Sequence, residues 1–436
     1  MAQRKPPATT FGTATGAAVD TLLAPVDAEL ARRYPGDPGT RQPVHTVYVS
    51  ARDLTTDTLR TWSGAALGVL AEHAPDAASF GAVIGLPGAR AEAVYDRVRT
   101  KLAREPVEDL RIDFEDGYDG RTDAEEDGHA ARAARLVAEA YRRGDAAPYT
   151  GIRMKSLEAA VRNRGIRTLD VFLTGLVEHG GLPGGLVLTL PKVSRAEQVI
   201  AMAGLLTAFE RAHGIADGRI GFEVQIETSQ AVLAADGTAT VARLIDAAGG
   251  RLTGLHYGTY DYSAGLGIAA GHQASDHPAA DHAKAVMQVA AAGTGVRVSD
   301  GSTNVLPVGP AEHVHEAWRL HYGLVRRALA RGYYQGWDLH PGQLPTRYAA
   351  VFAFYREGLD RAAARLASYA ARNTGDVLDE PATARALAGF LLRGLDCGAL
   401  DPPEVTGRTG LTRAGLEAYA PARSTGPASR PGAEPG

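Results

Sequence analysis

The alternation of short β-type runs with helical-period segments predicts an α/β chain built as a (β/α)8, or TIM, barrel. Three observations carry that reading. Eight runs rich in branched and aromatic residues recur along the chain, at 45–51, 109–116, 149–155, 185–193, 219–227, 252–261, 294–301 and 333–342. Amphipathic segments fall between them, at 123–142, 194–213, 229–248 and 311–331, and a long one follows the eighth run at 346–370. The doubly wound alternative ordinarily carries a glycine-rich phosphate loop after its first strand, and neither G-x-G-x-x-G nor G-x-x-x-x-G-K-[ST] occurs.

These elements divide the chain into an N-terminal arm at 1–40, a barrel at 41–373 and a small helical segment at 374–420 that includes a TGLTRAGL start. Residues 421–436, PARSTGPASRPGAEPG, are rich in Pro, Gly, Ser and Ala without periodicity and read as a disordered tail, as do the first 20 residues or so. No internal repeat is present.

Composition narrows the function. Of 436 residues, 45% are hydrophobic and 22% charged, enough for a packed core. A net charge of -4 gives no electrostatic reason to expect nucleic acid or an anionic membrane as partner, and a small neutral-to-anionic ligand is expected instead. The single cysteine, Cys397, excludes an internal disulfide and a zinc ribbon, which fits a reducing cytoplasm. No leader and no membrane-length apolar stretch is read. Only five of the 46 basic residues are lysines (Lys5, Lys101, Lys155, Lys192, Lys284), so a lysine near a site merits scrutiny.

In such barrels the chemistry sits at the C-terminal ends of the strands. Ionisable residues cluster there: Asp113, Glu115 and Asp116 after the second run, Arg153 and Lys155 after the third, Lys192 after the fourth, and Glu223, Gln225 and Glu227 on the fifth. His256 and Asp261 follow on the sixth, Asp300 on the seventh, Asp338 and His340 on the eighth. Strand alternation puts Glu223, Gln225 and Glu227 on one face, and Arg111, Asp113 and Glu115 on another. Plainer roles compete. Thr228 and Ser229 are ordinary helix caps beside Glu227, Asp261 lies in a glycine-rich turn, and the acidic run at 123–127 reads as a solvated helix start. The five-residue spacing of His272, His277 and His282 spreads them around a helix and argues against a histidine metal site, and His313 and His315 fail the same test.

The runs RIDFEDG, GIRMK, LPKV, QIETSQAV, HYGTYDYSAGLG and GWDLHPGQ occur in order over about residues 45–345. In that order they resemble the motifs of the citrate lyase β-subunit, malyl-CoA lyase and HpcH/HpaI aldolase superfamily, and GTYDY also resembles a malate synthase segment. The resemblance implies a TIM barrel that binds Mg²⁺ (or Mn²⁺) and makes or breaks a carbon–carbon bond next to a 2-oxo acid or acyl thioester through a metal-stabilised enolate. By that correspondence Glu227 and Asp261 are the metal ligands, Arg153 binds the 2-oxo acid carboxylate, and Glu115 and Asp116 form the acidic pair beside the metal. The catalytic candidates are thus Arg153, Glu115, Asp116, Lys155 and Asp300, and the substrate-binding candidates are Arg153, Lys192, Gly258, Thr259 and His340. Where the superfamily has an asparagine after the arginine, this chain has Met154 and Lys155; Tyr262 replaces a branched residue, and the segment at 262–293 is long. By the same resemblance Asp379 in LDEPATA corresponds to an aspartate that members often lend to a neighbouring subunit, and a homo-oligomer is implied, members being commonly trimers or hexamers.

Chemistry independently suits these residue types. Mg²⁺ prefers carboxylate oxygen and retains waters, and arginine's planar fork matches a carboxylate. The expected activity is therefore a Mg²⁺-dependent lyase or aldolase acting on a 2-oxo acid or acyl-CoA adduct. The alternatives are a Schiff-base aldolase using Lys155 or Lys192, phosphoenolpyruvate-linked phosphoryl transfer, and a non-catalytic ligand-binding barrel.

Overall fold

The protein is described by a computed structural model covering residues 10–118, 120–371 and 380–420. Its eight strands are β1 (Thr46–Ser50), β2 (Asp109–Asp113), β3 (Tyr149–Arg153), β4 (Leu188–Leu190), β5 (Phe222–Ile226), β6 (Leu252–Tyr257), β7 (Arg297–Ser299) and β8 (Trp337–Asp338). Each lies inside one of the eight predicted runs. All pair in parallel in the order β7-β6-β5-β4-β3-β2-β1-β8, and a Ser299–Gln335 bridge with an Asp300 N–H to Gln335 C=O bond of 2.9 Å brings β7 to the β8 side. The sheet is a nearly closed (β/α)8 barrel.

Alternation along each strand sorts side chains between two environments. Val47, Leu110, Ile112, Ile152, Leu188, Leu190, Phe222, Val224, Ile226 and Leu255 face outward and are buried under the helices. The inward set is polar: Thr46 and Tyr48 on β1, Asp109, Arg111 and Asp113 on β2, Arg153 on β3, Thr189 on β4, Glu223 and Gln225 on β5, and His256 on β6. Gly151 must be glycine, because a Cβ there would lie 1.7 Å from the Val187 carbonyl oxygen.

The helical layer contains each of the predicted segments, and the helices Arg162–Glu178, Thr259–Gly265 and Pro278–Ala291 lie outside them. The expected helix at 229–248 is two, Ser229–Val232 and Thr240–Ala247, because Asp236 accepts from the Thr238 N–H at 3.0 Å and Gly237 adopts φ +81° between them. Three helices not foreseen, Thr58–His73, Ala77–Ile84 and Gly88–Arg104, join β1 to β2. The N-terminal arm, expected to be disordered over its first 20 residues, contains a helix from Thr13 to Arg33. Its alanines and leucines are strong helix formers, yet it buries no residue.

After the long helix Leu344–Ala370 come Pro381–Asp396, Pro402–Thr409 and Arg413–Tyr419, the last capped by Thr412, whose hydroxyl accepts from the Gly415 N–H. Tyr355 and Phe390 join this segment to the long helix at 5.0 Å between ring centroids. The tail at 421–436 and Asp379 lie outside the described residues. Among the described residues no helix is long and apolar enough to cross a membrane.

Candidate active site

The polar barrel interior has two storeys. In the lower one, Glu223 accepts from Arg111 Nη2 at 2.9 Å, from the Thr189 hydroxyl at 2.6 Å and from His256 Nε2 at 2.8 Å. His256 Nδ1 accepts from Trp337 Nε1 at 3.1 Å, so the proton of the imidazole sits on Nε2 and points at Glu223. Burial pushes the Glu223 carboxyl up, but Arg111, His256 and Thr189 overcome it and hold the group down at about 2. Asp109 shares Arg111 at 2.8 Å; burial pushes it up, and its Oδ1 has no partner.

One storey higher, at the C-terminal mouth, Arg153 is gripped by Asp113. Nε and Nη2 each lie 2.7 Å from its two oxygens, and the guanidinium stacks 4.8 Å over Tyr48. Asp113 in turn accepts from the Glu115 and Gly117 N–H groups, fixing the loop that carries the acidic pair. The fork expected to bind substrate bidentately is thus occupied by the protein. Only Nη1 faces the mouth, 3.1 Å from Glu115 and 3.5 Å from both Asp116 and Gln225.

Four carboxylates converge there on the Lys192 ammonium. Nζ lies 2.5 Å from Asp261, 3.4 Å from Asp116, and 3.7 Å from both Glu115 and Glu227. Lys192 is the only described non-glycine residue with positive φ, at 50°, and its N–H donates to Glu227 Oε1 at 2.6 Å. Asp261 is presented by the helix Thr259–Gly265. Gly258 precedes that helix against Glu227, where a Cβ would fall 2.4 Å from the glutamate Cβ. Thr259 bonds the Ser302 carbonyl at 3.1 Å.

Charge is unbalanced in this upper storey. Five carboxylates (Asp113, Glu115, Asp116, Glu227, Asp261) face two cations, Arg153 and Lys192. Burial, then the neighbouring Asp116 and Glu227, push Glu115 up to about 8 against the pull of Arg153 and Lys192. Burial and Asp261 likewise push Glu227 up to about 7. Burial disfavours the Lys192 ammonium, but Glu227, Asp261, Glu115 and Asp116 outweigh it and raise its pKa well above the ordinary value. Among the described residues no group of three or more His, Cys, Asp or Glu side chains is arranged to hold a metal ion unaided. The carboxylates of Glu227 and Asp261, on a site with surplus negative charge, nonetheless have the chemistry that suits Mg²⁺ when waters and substrate complete its shell.

Of the sequence-predicted residues, the structure brings together Arg153, Glu115, Asp116, Lys192, Glu227 and Asp261, with Gly258 and Thr259 beside them. Lys155, Asp300 and His340 are placed elsewhere. Lys155 Nζ bonds the Phe114 carbonyl at 2.7 Å and pairs with Glu126 at 3.2 Å. Asp300 pairs at 2.9 Å with Lys284, a buried lysine on the helix Pro278–Ala291. His340 accepts from the Gly342 N–H, capping a short turn, and burial pushes its pKa down. Asp338 is buried against His45, His321 and Arg347. Tyr48 was overlooked, although Thr46, Tyr48 and Ser50 share one face of β1 by simple alternation. Gln225 Nε2 lies 3.3 Å from the Tyr48 hydroxyl, and the Ser50 hydroxyl is buried without a partner.

A citrate lyase from Burkholderia xenovorans LB400 matches with a TM-score of 0.57 at 19% identity, over 84% of this chain and 96% of that one. A malate synthase from Haloferax volcanii, solved as a lead(II) complex, gives 0.47 at 18%, over 71% and 72%. The protein CitE from Mycobacterium tuberculosis, in complex with magnesium and acetoacetate, gives 0.44 at 15%, over 81% and 99%. What the first likeness establishes is the fold, the one expected from the motif order. Among curated proteins nothing matches the chain. A family model described as a domain of unknown function, DUF6986, matches residues 23–424, and the chain belongs to that family.

Proposed function

We propose that the protein is a Mg²⁺-dependent carbon–carbon lyase or aldolase acting on a 2-oxo acid or its acyl-CoA adduct. The observation that carries this reading is the convergence of Glu115, Asp116, Glu227 and Asp261, beside Arg153, at the mouth of the barrel. Glu227 and Asp261 would hold the ion. When bound, it would polarise the 2-oxo carbonyl and offset negative charge gathering on that oxygen. Arg153 Nη1, the arm Asp113 leaves unused, offers a hydrogen bond to the substrate carboxylate, and the clamp on the other two nitrogens fixes its direction. Glu115 lies 3.1 Å from that arm and, in the metal-free chain, is pushed up to about 8 by burial, Asp116 and Glu227, which supports assigning it the proton exchange with substrate. The Tyr48 ring and Gln225 form the floor.

Replacing Glu227 with Gln should lower metal-dependent turnover by roughly a thousandfold, the scale of losing several kcal/mol of charge stabilisation. Cleavage assays on a panel of 2-oxo acids and acyl-CoA adducts, with and without chelator, measure this. Full activity of E227Q in excess chelator would refute the assignment. The Schiff-base alternative is disfavoured because Lys155 and Lys192 are both engaged with carboxylates. Borohydride treatment with pyruvate should therefore leave no covalent adduct.

A further inference from the structure

Lys192 stands where a cation would be expected. Its Nζ lies within 3.7 Å of all four carboxylates at the mouth, including both residues assigned to the ion, Glu227 and Asp261. An ammonium and a divalent ion cannot share that space, because like charges so close repel strongly. The backbone at Lys192 is itself unusual. Lys192 adopts φ 50°, a region unfavourable to side chains with a Cβ, and its N–H is held at 2.6 Å by Glu227 itself.

We propose that Lys192 is a tethered stand-in for the divalent ion, its ammonium neutralising the carboxylates until the ion displaces it. This rests on the reading that Glu227 and Asp261 hold that ion. One rim residue gives the displaced side chain a way out: the side chain of Asp116, which is not assigned to the ion, is 55% exposed, whereas that of Glu227 is 1% exposed. The ammonium can pivot toward the rim while the buried ligand stays fixed. Two consequences follow. Metal-free protein keeps a partly compensated site, and the ion binds weakly alone but tightly together with an anionic chelating substrate, whose own charge offsets that of the displaced lysine.

Mn²⁺ titrations of the chelator-treated full chain, followed by calorimetry and by the electron paramagnetic resonance of free Mn²⁺, test this at one pH. Lys192→Met removes the charge. Lys192→Gly removes it and accepts the positive φ without strain, which guards against a variant that fails to fold. Lys192→Arg retains the charge. K192M and K192G should bind Mn²⁺ about tenfold or more tightly than wild type, and K192R no more tightly. Oxalate should tighten Mn²⁺ binding to wild type more than to K192M. The metal-free K192M variant should melt below wild type and gain more from Mn²⁺. Equal or weaker binding by K192M and K192G, with binding still abolished in E227Q, would overturn the stand-in role and leave the metal site intact. No saturable binding by any of these proteins would overturn both.

Discussion

Glu223 and Glu227 sit four residues apart, on the same face of β5 and its end, and both are buried. Their situations are opposite. Glu223 is met by Arg111, His256 and Thr189 and is held at about 2, whereas Glu227 shares one lysine with three other carboxylates and is pushed up to about 7. Burial alone therefore does not mark a functional carboxylate, since both experience it. What separates them is whether the surrounding charges close the account. The lower storey of the barrel is a finished structural network, and the upper one is short of a cation.

Removing charge from each storey should move stability in opposite directions. Glu223→Gln leaves Arg111 under-compensated in the barrel interior and should cost about 3–5 kcal/mol, read from the urea midpoint. Glu227→Gln in the metal-free protein should instead stabilise by roughly 1–3 kcal/mol at pH 8, because it removes a charge already disfavoured there. If both substitutions shift the midpoint the same way, the contrast is wrong. Gly258→Ala forces a Cβ against Glu227 and should cost about 1–3 kcal/mol while weakening Mn²⁺ binding, which calorimetry would register.

The mildest expected effect is in pH. Glu115 at about 8 and Glu227 at about 7 exceed their ordinary 4.5, so between pH 4.5 and 8 the folded, metal-free chain retains protons that the unfolded chain has lost. Their contribution to stability must then fall as pH rises through that window and level off above it. The metal-free melting temperature should drop by a few degrees more in wild type than in E227Q. Equal slopes would place the surplus charge elsewhere.

The strands were legible because period-two alternation of polar and apolar residues leaves a mark on sequence, and Arg111, Asp113, Glu223 and Gln225 are part of that mark. The same rule explains the misplaced candidates. Asp300 follows Ser299 and Asp338 follows Trp337, so each falls on the outer face, toward the helices, however close it lies to a strand end. Lys155 keeps the parity of Arg153, but β3 stops at Arg153 and the chain turns before the parity can act. Between β1 and β2, Thr58–His73 and Ala77–Ile84 are rich in alanine and glycine, which blurs an amphipathic pattern, whereas Gly88–Arg104 buries Ala91, Val94, Tyr95, Val98 and Leu102 at helical spacing and was legible. The pairing of Lys192 with four carboxylates depends on a positive φ at a non-glycine residue, which no propensity rule foresees. Lys284, one of only five lysines, is buried and takes Asp300 as its acidic partner.

The sorting of polar side chains inward and apolar ones outward also bears on how this barrel reaches its structure. A slip of one residue on β2 or β5 would turn Asp109, Arg111 and Glu223 into the helix layer and bring Leu110, Phe222 and Val224 inside among charges. Closely spaced wrong pairings are thereby penalised on both faces at once. The ionic interior thus helps to specify a single register for each strand.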